Sequence, residues 1–134
     1  MSCIGGETLK RNQIDELEKL NGQLESFYRE FAALSKKSPN DAVNTFKLSF
    51  VNTTLKNCNT FLGKKYKPFN DFNQFDIDDV PSNSDLTLII GQYMQAMEKF
   101  RSDNIYNYYL NEWRYTIEDS DEQIRTAPPA KIKK

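Results

Sequence analysis

The sequence predicts an all-α protein: an antiparallel bundle of three to four helices, with a long loop rich in aromatic and acidic residues between the second and third helices. Three observations predict this fold. Large apolar residues recur at steps of three and four along several stretches, which is the period of one helix face. Residues that cap helices separate those stretches. The 134 residues, with only five Gly and five Pro, are enough for one domain with its own core.

The first and longest apolar stripe predicts a helix from about residue 9 to residue 35. Its members are Ile14, Leu17, Leu20, Leu24, Phe27, Tyr28, Phe31 and Leu34. A stripe this wide needs a partner surface, because each large side chain that it buries is worth roughly 1.5–3 kcal/mol. The other helices supply that surface, and any part that they leave uncovered would support a homodimer.

Ser38, Pro39, Asn40 and Asp41 indicate that one helix ends and the next begins, with Ser38 as the cap and Pro39 in the first turn. The short link predicts that the first two helices form an antiparallel hairpin. Gly63 is a suitable stop for the second helix. The apolar face of the second helix is predicted to contain Val43, Phe46, Phe50, Val51, Leu55, Cys58, Phe61 and Leu62.

Residues 64–83 form the predicted loop. Three lysines are followed by a phenylalanine at every third position (Phe69, Phe72 and Phe75) and then by several aspartates. A loop of this length is uncommon in a compact domain unless it has its own structure or a role. Two interpretations remain open: the phenylalanines pack as a lid over one end of the bundle, or they form an exposed strip that docks a partner.

Ser82 or Ser84 is the predicted cap of the third helix, with Asp85 in its first turn. Residues 102–104 (Ser-Asp-Asn) favour a break, after which a fourth helix would place Trp113 on its apolar side; without the break, one long helix continues. Pro128 and the lysines after it indicate a mobile tail. The predicted organisation is a flexible lead-in (1–8), one helical domain (9–118) and a tail (119–134).

Composition excludes several kinds of chemistry. The chain has no histidine, so Ser-His-Asp, Cys-His and His-zinc sites are impossible. No nucleotide-binding or hydrolase motif occurs, and the aspartates after Phe75 lack the glycine and glutamate of a calcium-binding loop. We therefore predict a non-enzyme without cofactor or metal. Two cysteines give no disulfide framework, which favours the cytoplasm, and no apolar run approaches the roughly 20 residues of a membrane span.

The densest aromatic cluster follows residue 105 and supplies the predicted partner-binding residues. They are Tyr106, Tyr108, Arg114 and Tyr115, with Phe69, Phe72 and Phe75 as a second group. Tyrosine and arginine are enriched at binding hot spots. The predicted function is a non-catalytic protein-interaction module, such as a small adaptor, inhibitor or assembly subunit, acting through exposed aromatic residues on another protein.

The alternative prediction is a helical subunit of a complex that handles nucleic acid. Lys64, Lys65 and Lys67 would contact the backbone, and Tyr66 would stack on a base. The net charge of −1 and the aspartates directly downstream weigh against this alternative.

Overall fold

A computed structural model describes residues 9–117 and 123–130. Within these residues the chain is mostly helical, with a small antiparallel sheet at its carboxyl end. The helices are α1 (Arg11–Lys37), α2 (Thr45–Tyr66) and α3 (Asn83–Ser102), and the strands are β1 (Ile105–Tyr109), β2 (Glu112–Tyr115) and β3 (Arg125–Thr126). A short 3-10 helix, Ile77–Asp79, lies in the loop between α2 and α3. The prediction of a mainly helical chain is confirmed, but the all-α prediction is wrong because the last part forms a sheet.

The core lies between the three helices, each of which packs against the other two. The stripe predicted on α1 is confirmed, because five of its residues are almost wholly buried: Ile14, Leu17, Leu20, Leu24 and Phe31. The facing helices contribute Leu48, Val51 and Leu55 from α2, and Leu86, Ile90 and Tyr93 from α3. Burial of this one stripe therefore brings the three helices together around a common core.

The second helix begins later than predicted. Ser38 ends α1, where its N–H donates to the Leu34 carbonyl at 2.8 Å, and Asn44 caps α2 instead. The intervening segment hydrogen-bonds to the residues just before and at the start of α3: the Val43 N–H donates to the Pro81 carbonyl at 2.9 Å. Pairing with a distant segment thus replaces the early helical turn that the local cap signal indicated.

The prediction that Ser82 caps α3 is confirmed, whereas the predicted stop at Gly63 is a kink inside α2, which extends to Tyr66. Gly63 has φ +67° and interrupts the helical geometry of α2, a conformation that costs a residue with a side chain more than it costs glycine. Ser82 caps α3, and the Ser82 hydroxyl and the Asp85 carboxylate form a reciprocal capping box. The predicted break after Ser102 is also present, since α3 ends there.

The stretch predicted as a fourth helix is instead a β-hairpin. β1 and β2 pair so that Ile105 lies opposite Tyr115 and Asn107 opposite Trp113, with a bulge between Asn107 and Tyr109. Ile105 and Tyr115 are buried against the helices. Alternate residues of a strand point to opposite faces, so apolar residues spaced two apart can share the buried face of a strand. Tyrosine, tryptophan and isoleucine also favour strands, so the residues predicted to form a helix suit a hairpin equally well.

Residues 123–130, which the sequence placed in a tail, pack against the domain. Arg125–Thr126 pairs with β2, which completes the sheet in the order β1-β2-β3. Arg101 at the end of α3 hydrogen-bonds to the main chain of Ala127 and Pro128. The predicted lead-in 1–8, and residues 118–122 and 131–134, lie outside the described residues.

Candidate functional site

The hairpin formed by β1 and β2 carries four exposed large residues, three tyrosines and a leucine, at or next to the predicted partner-binding positions. The exposed fractions are 40% for Tyr106, 54% for Tyr108, 65% for Tyr109 and 75% for Leu110. These four residues and Arg114 are called here the hairpin surface. The turn that carries it is tied by the Asn107 side-chain amide, which donates to the Leu110 carbonyl at 2.8 Å.

Arg114 supports the hairpin surface through its contact with Tyr108, while only 14% of its own side chain is exposed. Its guanidinium carbon lies 3.5 Å from the centroid of the Tyr108 ring, a cation–π contact. It lies opposite Tyr106 in the strand register, and its Nε donates to the Glu112 carboxylate at 2.7 Å. Arg125 on β3 lies 3.1 Å from the same carboxylate. Hydrogen bonds from Arg114 hold the pKa of Glu112 below its usual value, so this carboxylate stays charged and keeps Arg114 in place.

Tyr115 does not belong to this surface, which corrects the prediction. Only 3% of it is exposed, and its hydroxyl donates to the Glu18 carboxylate at 3.4 Å. Burial raises the pKa of its hydroxyl. The physical reason is the strand: Tyr115 lies opposite the buried Ile105 and so shares its core-facing side, whereas a helix would have placed it elsewhere.

The second predicted group, Phe69, Phe72 and Phe75, forms a lid. The ring centroids are 6.0 Å apart for Phe69–Phe72 and 5.2 Å for Phe72–Phe75, and Phe69 meets Tyr93 of the core. Asn52 fixes the end of this row, because its side chain donates to the Phe75 carbonyl at 2.9 Å and accepts from the Phe75 N–H at 2.8 Å. The docking-strip interpretation is wrong for Phe75, which is buried.

Only some of the residues in the nucleic-acid alternative are exposed and free of contacts that would compete with nucleic acid. Lys64 and Lys65 are exposed, and Lys67 donates to the Asn73 side chain at 3.0 Å. Tyr66 is half-buried: its hydroxyl donates to the Asp103 carboxylate at 2.6 Å, and its ring packs against the core. The ring that was predicted to stack on a base is therefore engaged within the protein.

Sequence reasoning missed a groove between α1 and the start of α2. Its volume is about 680 Å³, and Phe27, Phe31 and Phe50 supply its aromatic lining. Phe46 and Phe50 were predicted to be buried, but they are 70% and 52% exposed. The available signal was that the apolar residues of α2 cover more than one face, so they cannot all meet α1 and α3.

The described residues offer little support for a metal site, a reactive cysteine or a membrane-spanning helix. They contain no group of three or more carboxylate or thiol side chains placed to hold a metal ion. Cys58 is buried, and burial raises the pKa of its thiol to about 12. Among the described helices, none combines the length and the apolar character that crossing a membrane requires.

Comparison of the chain with protein-family models, with curated proteins and with solved structures finds no match. The hairpin surface and the phenylalanine-lined groove are therefore the two features of the molecule that bear on its function.

Proposed function

We propose that this chain is a non-catalytic protein-interaction module, a small adaptor, inhibitor or assembly subunit that binds another protein through the hairpin surface. The observation that carries the proposal is the concentration of three exposed tyrosines and one exposed leucine on a single hairpin. Tyrosine and arginine are the residue types that dominate binding energy at protein interfaces.

The hairpin surface also offers its rings in a restrained arrangement. The contact with Arg114 and the strand pairing limit the motion of Tyr108 and Tyr106 before any partner arrives. Covering the exposed half of one such ring is worth about 2 kcal/mol before ordering costs. Those ordering costs are smaller for groups that are already held in place, so the arrangement favours binding.

The charges beside the rings indicate the character of the partner. Among the described residues of β2 and β3, Arg114 and Arg125 share the carboxylate of Glu112, which leaves one positive charge in excess there. The Arg125 side chain is largely exposed. A partner that presents a carboxylate next to apolar residues would complement this surface.

We further propose that the three helices form an antiparallel bundle that serves as a rigid support for the hairpin. We also propose a cytoplasmic location, because Cys58 is a free thiol within the described residues and unpaired thiols are stable in reducing compartments.

The test compares three proteins as bait in native lysate of the source cells: the wild type, the double variant Tyr106→Ser/Tyr108→Ser, and the control Leu88→Ser. Leu88 is an exposed leucine on α3, so its replacement changes a surface elsewhere. We expect a bound protein that the wild type and the control retain and the double variant loses. The loss is then confirmed with the purified partner by calorimetry. Identical capture by all three baits would contradict the proposal, provided that their melting temperatures agree.

The nucleic-acid alternative has weaker support because Tyr66 packs within the protein. It is tested by titrating labelled single- and double-stranded nucleic acid at low salt, where phosphate contacts are strongest. Binding that disappears in Lys64→Gln/Lys65→Gln, with capture of protein partners unchanged in the hairpin variant, would replace our proposal with that alternative.

A further inference from the structure

The face formed by α1 and the start of α2 combines a projecting aromatic residue with an apolar groove beside it. Phe46 and Phe50 lie one helical turn apart on α2, and their rings meet edge to face at 4.9 Å. Phe50 lines the groove together with Phe27 and Phe31, whereas Phe46 projects next to it. Exposed apolar patches of this kind mark interaction sites on soluble proteins.

The rim of the groove carries both signs of charge. Arg29, Glu30 and Lys47 all lie along it. The Lys47 ammonium and the Glu30 carboxylate are 2.5 Å apart, and both side chains are close to half exposed. In a rotated copy, Arg29 of each chain can face the Glu30 carboxylate of the other, which gives two equivalent ion pairs across the twofold axis.

We propose that this face is a twofold interface between two copies of the chain, in which Phe46 of each copy enters the phenylalanine-lined groove of the other. A twofold interface uses the same surface on both subunits, so that surface must be complementary to itself. A projecting ring beside a groove satisfies this condition in shape, and the mixed rim satisfies it in charge.

The size of the groove and the charge of the chain agree with this arrangement. Sites for whole small molecules measure roughly 300–1,000 Å³, so about 680 Å³ is ample for an aromatic ring. The net charge of −1 produces little repulsion between copies. The interface shares no residue with the hairpin surface, so it goes beyond the proposed function and leaves that surface free for another protein.

The first test measures mass in solution by light scattering and sedimentation, from low micromolar to several hundred micromolar protein. We expect the wild type and Leu88→Ser to form dimers. Phe46→Ser should weaken association at least about tenfold, as truncation of an aromatic anchor does. Because Phe46 is largely exposed, the variant should keep the circular dichroism spectrum of the wild type. A wild type that stays monomeric throughout, or a dimer unaffected by Phe46→Ser, would overturn the proposal.

The second test exchanges the charges of the rim. Glu30→Lys makes the rim wholly cationic, and Arg29→Glu/Lys47→Glu makes it wholly anionic. Each protein alone should be a monomer, because identical rims repel each other, whereas an equimolar mixture should form a mixed dimer. Dimers of either variant alone, or a mixture that stays monomeric while the wild type associates, would show that this rim is not the interface.

Discussion

Arg101 ties the end of α3 to the carboxyl-terminal segment, and its replacement gives the sharpest test of the fold. Its Nε and Nη2 donate to the two carboxylate oxygens of Glu98, each at 2.8 Å. Its Nη1 donates to the Thr126 hydroxyl at 2.7 Å and the Ala127 carbonyl at 2.9 Å, and Nη2 also reaches the Pro128 carbonyl at 2.9 Å. Arg101 is buried, so these five hydrogen bonds are made largely out of contact with solvent.

The expected cost of Arg101→Met follows from these contacts. Removing one partner of a buried ion pair costs about 3–5 kcal/mol, because the other charge stays buried without compensation. Glu98 retains hydrogen bonds from the Ala130 N–H and the Ser102 hydroxyl, which places the expected loss near the lower end, at about 3 kcal/mol. For a chain of 134 residues this corresponds to a fall of about 10 °C in the melting temperature.

The assay is urea denaturation of the wild type, Arg101→Met and the matched control Arg125→Met. Arg125 carries the same charge but is largely exposed, so its replacement should cost less than about 1 kcal/mol. Hydrogen exchange should accelerate over residues 124–130 in Arg101→Met only. The reasoning is refuted if the two variants are equally stable, or if exchange over residues 124–130 is unchanged.

Three further predictions concern other contacts. Burial alone would raise the pKa of Glu98, but hydrogen bonds from the neighbouring guanidinium and from main-chain and hydroxyl donors outweigh it, so its pKa lies below the usual 4.5. The unfolded chain then binds the proton more readily; the resulting stability is present above about pH 4.5 and is lost as the pH falls through the folded-state pKa. Urea midpoints measured across this range should therefore fall less steeply for Glu98→Gln than for the wild type. Asn52→Ala should cost about 1–3 kcal/mol and make the loop more sensitive to protease, because the buried Phe75 main chain loses both hydrogen bonds. The exposed Asn57→Ala on the same helix should change neither; equal effects would contradict this role of Asn52. With the other cysteine replaced by serine, Cys58 should react with a thiol reagent only after unfolding, because burial raises its pKa to about 12. Rapid reaction of the native protein would disprove this prediction.

The sequence predicted the helices because their signals are local. The stripe from Ile14 to Phe31 and the capping box at Ser82 depend on residues three and four positions apart, which are neighbours on any helix surface. The residue types of Tyr106, Tyr108 and Arg114 made them candidate partner-binding residues from the sequence alone, and Tyr106 and Tyr108 are exposed in the structure.

The hairpin was missed because a short run of aromatic and aliphatic residues fits a period of two as well as a period of 3.6. That choice decided the position of Tyr115, which the strand turns towards the core. The exposure of Phe46 was missed for a related reason: α2 has apolar residues on more than one face, and only its neighbours determine which face is covered.

The sequence by itself determined that the chain is mostly helical, where α1 and α3 lie, and which residue types make up the candidate site. Tertiary structure alone decided the late start of α2, the strand pairing of Arg125–Thr126 and the burial of Tyr115. The physical reason is the distance along the chain between the interacting groups. Arg101 and Pro128 are 27 residues apart, and no periodicity within one helix or strand encodes a hydrogen bond between such residues.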